Sequence, residues 1–148
     1  MRSAHRAFIL GVLACGAAAC EHPIAVITPH IEASELLVRD TSGRLLVQTV
    51  DNQRWIGGSI EVPAGDSLPL MIRLLDFQGR EFSLESRGSD YSVRMDIEQP
   101  ASAVWEPLTR FGWLRGFAPA TTRIRIQIWH TDHPDFITPW LPLTVRSR

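Results

Sequence analysis

Thr122-Arg123-Ile124-Arg125-Ile126-Gln127-Ile128-Trp129-His130 carries isoleucine at every second position, with Arg123, Arg125, Gln127 and Trp129 in between. Successive side chains of an extended strand point to opposite faces, so this stretch has one apolar and one polar face. Tyr91–Glu98 alternates in the same way, with Tyr91, Val93, Met95 and Ile97 against Ser92, Arg94, Asp96 and Glu98. In Ser67–Asp76 one face is Leu68, Leu70, Ile72 and Leu74, and Met71 and Leu75 make the other partly apolar, as in a strand covered on both sides.

Working outward, Ser34–Asp40, Leu45–Val50, Trp55–Val62, Glu81–Leu84, Ala103–Glu106, Phe111–Phe117 and Trp140–Val145 complete the strand candidates. Turn formers separate them: Asp40-Thr41-Ser42-Gly43-Arg44, Asp51-Asn52-Gln53-Arg54, Pro63-Ala64-Gly65-Asp66 and Asp76-Phe77-Gln78-Gly79-Arg80. Both Asp-x-x-Gly-Arg segments read as hairpin turns rather than an internal repeat. Gly57-Gly58 marks a bulge or close approach inside its strand. No window after residue 33 has a helical period. Many short strands with frequent turns predict an all-β sandwich or barrel, with any binding site on loops or an exposed sheet face.

The chain has 148 residues and a formal net charge of −1, from 15 basic and 16 acidic residues, which suits one domain. Every basic residue is arginine. This balance offers no phosphate-neutralising surface, so no nucleic acid is expected as partner.

Met1 to Arg6 is basic, Ala7–Ala19 is uncharged and rich in apolar and small residues, and cysteines stand at 15 and 20. This order reads as an export signal and is too short to span a bilayer. Val12-Leu13-Ala14-Cys15 and Ala17-Ala18-Ala19-Cys20 resemble the cleavage region of bacterial lipoprotein signals, in which the cysteine is acylated and becomes the new N-terminus. The resemblance implies a lipid anchor at Cys20, with Cys15 as the alternative, and a membrane-anchored place in the cell envelope. Residues 1–19 are then the signal, 20–33 a proline-containing tether, and 34–148 the domain. With no cysteine after Cys20, the domain has neither a disulfide nor a thiol for catalysis.

Between Tyr91 and Ile128 the runs Pro100-Ala101-Ser102-Ala103-Val104-Trp105, Gly112-Trp113-Leu114-Arg115-Gly116-Phe117-Ala118-Pro119 and Thr121-Thr122-Arg123-Ile124-Arg125-Ile126 resemble bacterial immunoglobulin-like domains of the invasin/intimin type. Ala120 stands where that family has glycine before threonine. The resemblance implies an immunoglobulin-like antiparallel β-sandwich used for adhesion, spacing or binding, with no catalytic residues to transfer and no cofactor.

Two candidate sites follow from the residues. His130-Thr131-Asp132-His133-Pro134-Asp135 gathers two imidazoles and two carboxylates, donors suited to Zn²⁺ or Cu²⁺, in what reads as a polar loop. His22 and His30 in the tether offer further ligands. The alternative is a solvated turn, because the spacing matches no strong zinc signature. Trp129, Arg123 and Arg125 share one strand face that suits another envelope protein or a glycan, or that forms a self-covering Arg–Trp ladder. Glycine-rich phosphate loops, nucleophile elbows and Ser-x-x-Lys are absent from the sequence. The resulting expectation is an exported, lipid-anchored, non-catalytic binding or scaffold module, with metal binding at His130–Asp135 or carbohydrate binding as alternatives.

Overall fold

A computed structural model describes residues 30–108 and 111–148; the signal, both cysteines, His22 and most of the tether lie outside them. The described residues form two packed β-sheets. In chain order the strands are β1 (Glu35–Arg39), β2 (Leu45–Val50), β3 (Arg54–Ile56), β4 (Ile60–Pro63), β5 (Ser67–Leu75), β6 (Glu81–Phe82), β7 (Tyr91–Ile97), β8 (Ala103–Pro107), β9 (Gly112–Gly116), β10 (Ala120–His130), β11 (His133–Ile137) and β12 (Leu141–Arg146). A 3-10 turn, Leu84–Arg87, precedes β7.

One sheet has the order β3-β2-β1-β5-β9-β8, with β6 also on β5. In the other, β7 lies on one edge of β10, β11 and β12 follow each other along its second edge, and β4 closes the sheet beside β12. The β5-β9-β8 and β7-β10-β12 sets correspond to the B-E-D and C-F-G strands of an immunoglobulin-like sandwich. The meander β1–β3 widens the first sheet by pairing β1 with β5.

The alternation that predicts the strands also builds the core. Ile124, Ile126 and Ile128 of β10 are fully buried, and they meet Leu36, Val38, Leu70, Leu74 and Leu114 of the other sheet in one cluster. Each such side chain contributes about 1.5–3 kcal/mol on leaving water, so this cluster outweighs any surface ion pair, worth about 0–1 kcal/mol.

Two turns repeat one device. Asp40 Oδ1 accepts the backbone N–H groups of Ser42 and Arg44, both at 3.0 Å, and its Oδ2 accepts Arg44 Nε. Asp76 does the same with Gln78 and Arg80 at 2.8 and 2.9 Å. Each aspartate ties its own turn, as expected of hairpin geometry.

Three expectations are corrected. Trp55–Val62 is not one strand: β3 and β4 belong to different sheets, and the chain crosses between them at Gly57 and Gly58, with φ +102° and +95°. A Cβ on Gly57 would lie 2.4 Å from the Leu46 carbonyl oxygen, so only glycine passes there. The sandwich is not wholly antiparallel, because β4 runs parallel to β12; strands joined through another sheet are free to pair either way. Residues 133–137, read as loop, form β11: Pro134 lacks a donor, but the strand pairs around it through a bulge.

Candidate metal centre

The site grows out of the end of β10. His130 has the same parity as Ile124, Ile126 and Ile128, so its imidazole continues their inward-facing row and is only 6% exposed. It pairs across strands with Tyr91 on β7 and with His133 on β11. The Tyr91 ring stacks on His130 at 4.5 Å and 16°, fixing the plane of the imidazole. Thr131, at φ +53°, turns the chain between His130 and His133.

Asp135 is brought in by the bulge. Ile128 pairs with Phe136 and Trp129 with Pro134, so Asp135 has no partner on β10. An extra residue in a strand re-aims its side chain, and the Asp135 carboxylate is 1% exposed. His30 approaches from the far side. Its Nδ1 lies 2.9 Å from Asp135 Oδ1, and the Ile31 N–H donates to Asp135 Oδ2 at 3.0 Å. His133 Nε2 is 3.1 Å from Asp135 Oδ1.

Ligand atoms of His30, His130, His133 and Asp135 all lie within 4.8 Å of one another. Zinc takes imidazole nitrogen and carboxylate oxygen at about 2.0–2.2 Å, which places tetrahedral ligands about 3.4 Å apart. Closing the longest gap needs up to about 1.4 Å of movement, within reach of His30 and His133, whose side chains are 65% and 47% exposed. The buried floor is already set. Among the described residues His130 Nδ1 has no hydrogen-bond partner, and it stands 3.9 Å from Asp135 Oδ2, too far for a hydrogen bond. Leaving such a buried group unsatisfied costs about 1–3 kcal/mol.

Asp132 lies outside this set of four. It bonds the other nitrogen of His133, with Nδ1 to Oδ1 at 2.9 Å, the outer carboxylate that orients a metal-ligating histidine. That hydrogen bond, helped by the charges of Asp135 and Asp132, outweighs the opposing desolvation and raises the pKa of His133. The same bond lowers Asp132. Burial acts to raise Asp135, but hydrogen bonds from His30 and the Ile31 N–H, with the charges of His30 and His130, outweigh it and hold the carboxyl below its ordinary value. Burial, then the charge of Asp135, pushes the Tyr91 phenol up.

The four residues proposed from the sequence, His130, Asp132, His133 and Asp135, are thus adjacent, with three facing the centre and Asp132 behind His133. His30, offered from the sequence only as a further ligand beside His22, is brought by the structure into the same cluster. The inward parity of His130 was the visible signal; nothing local marks His30.

The second candidate face, on the outside of the same sheet, is occupied by its own contacts. Arg123 pairs with Glu98, and Arg125 Nη2 with Asp96 at 2.6 Å. Both guanidinium groups lie over Trp140, at 5.4 and 4.9 Å. Arg94 covers Trp129 at 3.8 Å, and Trp129 Nε1 donates to Gln127. Trp129, Arg123 and Arg125 are therefore joined in the cross-strand ladder.

No protein-family model matches the chain, and no curated protein matches it. Among solved structures, domains 4 and 5 of the S-layer protein SbsC are similar over 60% of this chain, with 16% identity and a TM-score of 0.41. The match spans 47% of that structure, so the chain corresponds to about half its length.

Proposed function

We propose that the chain is an exported, lipid-anchored, non-catalytic module of the bacterial cell envelope whose β-sandwich binds a divalent transition metal, Zn²⁺ or Cu²⁺. The observation that carries the metal reading is the convergence of His30, His130, His133 and Asp135 around a buried imidazole nitrogen that has no partner among the described residues. Three imidazoles, one carboxylate and no thiolate suit these two ions, and Cu²⁺ generally binds such donors more tightly. Calcium and magnesium prefer all-oxygen sites and fit poorly. His133 and Asp135 would turn Nε2 and Oδ1 to the ion, and His130 its Nδ1. The envelope location rests on the order of charge, apolar run and small residues before Cys20.

Thermal unfolding of the mature chain during Zn²⁺ or Cu²⁺ titration tests the metal reading. A ligand of the native state stabilises by mass action, about 2.7 kcal/mol at a hundredfold excess over Kd. Stabilisation absent from a His130→Ala/His133→Ala variant supports it; no shift at millimolar metal overturns it. Mass spectrometry of the membrane fraction tests the anchor, since acylated Cys20 or Cys15 is directly visible there.

A further inference from the structure

Three of the four candidate ligands stand on one hairpin, β10–β11. The fourth, His30, is separated from Asp135 by 105 positions and belongs to a short strap, residues 30–33, that pairs with no strand. Among the described residues, the strap's hydrogen bonds run from His30 and from the Ile31 N–H, and both reach the single carboxylate of Asp135. Ile31 and Ala33 add half-buried contacts to the core. From Ser34 onward the chain is held independently, by the Ser34 N–H on the Leu75 carbonyl at 2.8 Å and by the pairing of β1 with β5.

Resting on the metal reading above, we propose that the bound ion is a clasp that fastens this strap to the β10–β11 hairpin, so that metal supply controls how firmly the chain entering the domain is held. The geometry supports it in three ways. His30 is the most exposed of the ligands, whereas His130 and Asp135 form a rigid floor buried in the sandwich. Asp135 has two oxygens with separate tasks, Oδ1 facing His30 and His133 and Oδ2 holding the Ile31 N–H. Oδ1 can turn to an ion while Oδ2 keeps the strap's backbone. Finally, His30 lies only four residues before Ser34, which is anchored on Leu75, so its imidazole is presented at high effective concentration.

The test uses Zn²⁺ as probe on the mature chain. Affinity is read by competition with a chromophoric chelator, and the strap by amide hydrogen exchange at Ile31–Ala33. The clasp requires Zn²⁺ to slow exchange at Ile31 at least about tenfold in the wild type. It also requires His30→Ala to bind Zn²⁺ more weakly by more than the 10- to 100-fold typical of losing an outer-sphere partner, and to lose the Zn²⁺-dependent protection. Unchanged exchange at Ile126 and Leu143 in that variant shows that the sandwich is intact. If Zn²⁺ binds with equal affinity in wild type and His30→Ala, or leaves exchange at the strap unaltered, the clasp is wrong and the metal site stands. If the wild type binds neither Zn²⁺ nor, in the same competition, Cu²⁺, the metal reading itself falls.

Discussion

The imidazole of His130 and the carboxylate of Asp135 face each other inside the sandwich at 3.9 Å without a hydrogen bond between them. Asp135 is satisfied by His30 and the Ile31 N–H, whereas His130 Nδ1 has no partner among the described residues. Such an arrangement is costly unless a further partner reaches His130, since a native interior otherwise pairs its polar groups. The fold produces it by two ordinary devices: strand parity turns His130 inward, and a bulge beside Pro134 turns Asp135 to meet it.

Asp132 should tune the site without belonging to it. Asp132→Asn weakens the bond that orients His133 and is expected to lower Zn²⁺ affinity about 10- to 100-fold with stoichiometry unchanged. Calorimetric titration checks this; affinity equal to the wild type would show that His133 is oriented by other contacts.

The core row of β10 should dominate stability. Ile126 is 0% exposed and pairs with Met95, so Ile126→Ala is expected to cost about 2–5 kcal/mol in urea unfolding. By contrast Arg123→Ala, which removes the exposed pair with Glu98, should cost about 1 kcal/mol or less.

Gly57 and Gly58 should respond differently to one methyl group. Both have positive φ, and strain of about 1–2 kcal/mol per residue is expected for alanine at either. Beyond that, Gly57→Ala meets the Leu46 carbonyl at 2.4 Å, whereas Gly58→Ala meets nothing within 4 Å. Thermal unfolding should rank Gly57→Ala clearly below Gly58→Ala; equal values would mean that the crossing between sheets relaxes freely.

Acid should loosen the two aspartate-tied turns. The hydrogen bond from the Ser42 hydroxyl, with those from Arg44, outweighs desolvation and lowers the Asp40 pKa to about 2. Asp76 is lowered in the same direction, chiefly by the Arg80 backbone N–H. A carboxyl whose folded pKa is depressed adds stability above its unfolded pKa, near 3.8 for Asp40, and loses it as pH falls through the folded value. The Tm difference between wild type and Asp40→Asn should therefore be full at pH 5 and shrink toward pH 2. A difference independent of pH would show that the carboxylate charge plays no part.

Much of this was legible in the residues. Alternation located β5, β7 and β10 to within one or two positions, and Asp-x-x-Gly-Arg located both tied turns, because strand pleat and turn conformation are set by neighbours in sequence. The gathering of imidazoles and carboxylates on the hairpin was legible too. What local pattern misread was the run from Trp55 to Val62, where apolar residues on both sides of two glycines serve different sheets, and residues 133–137, where proline and charge mask a strand that pairs through a bulge.

The sequence by itself determined which residues face inward, His130 among them, since side-chain direction along a strand follows from backbone geometry alone. Only the tertiary structure decided that His30 meets Asp135, that β4 lies parallel to β12, and that the Arg–Trp face is covered by its own ladder. Those relationships join segments far apart in the chain, and they are selected by the shared burial of the two sheets rather than by any preference of the segments themselves.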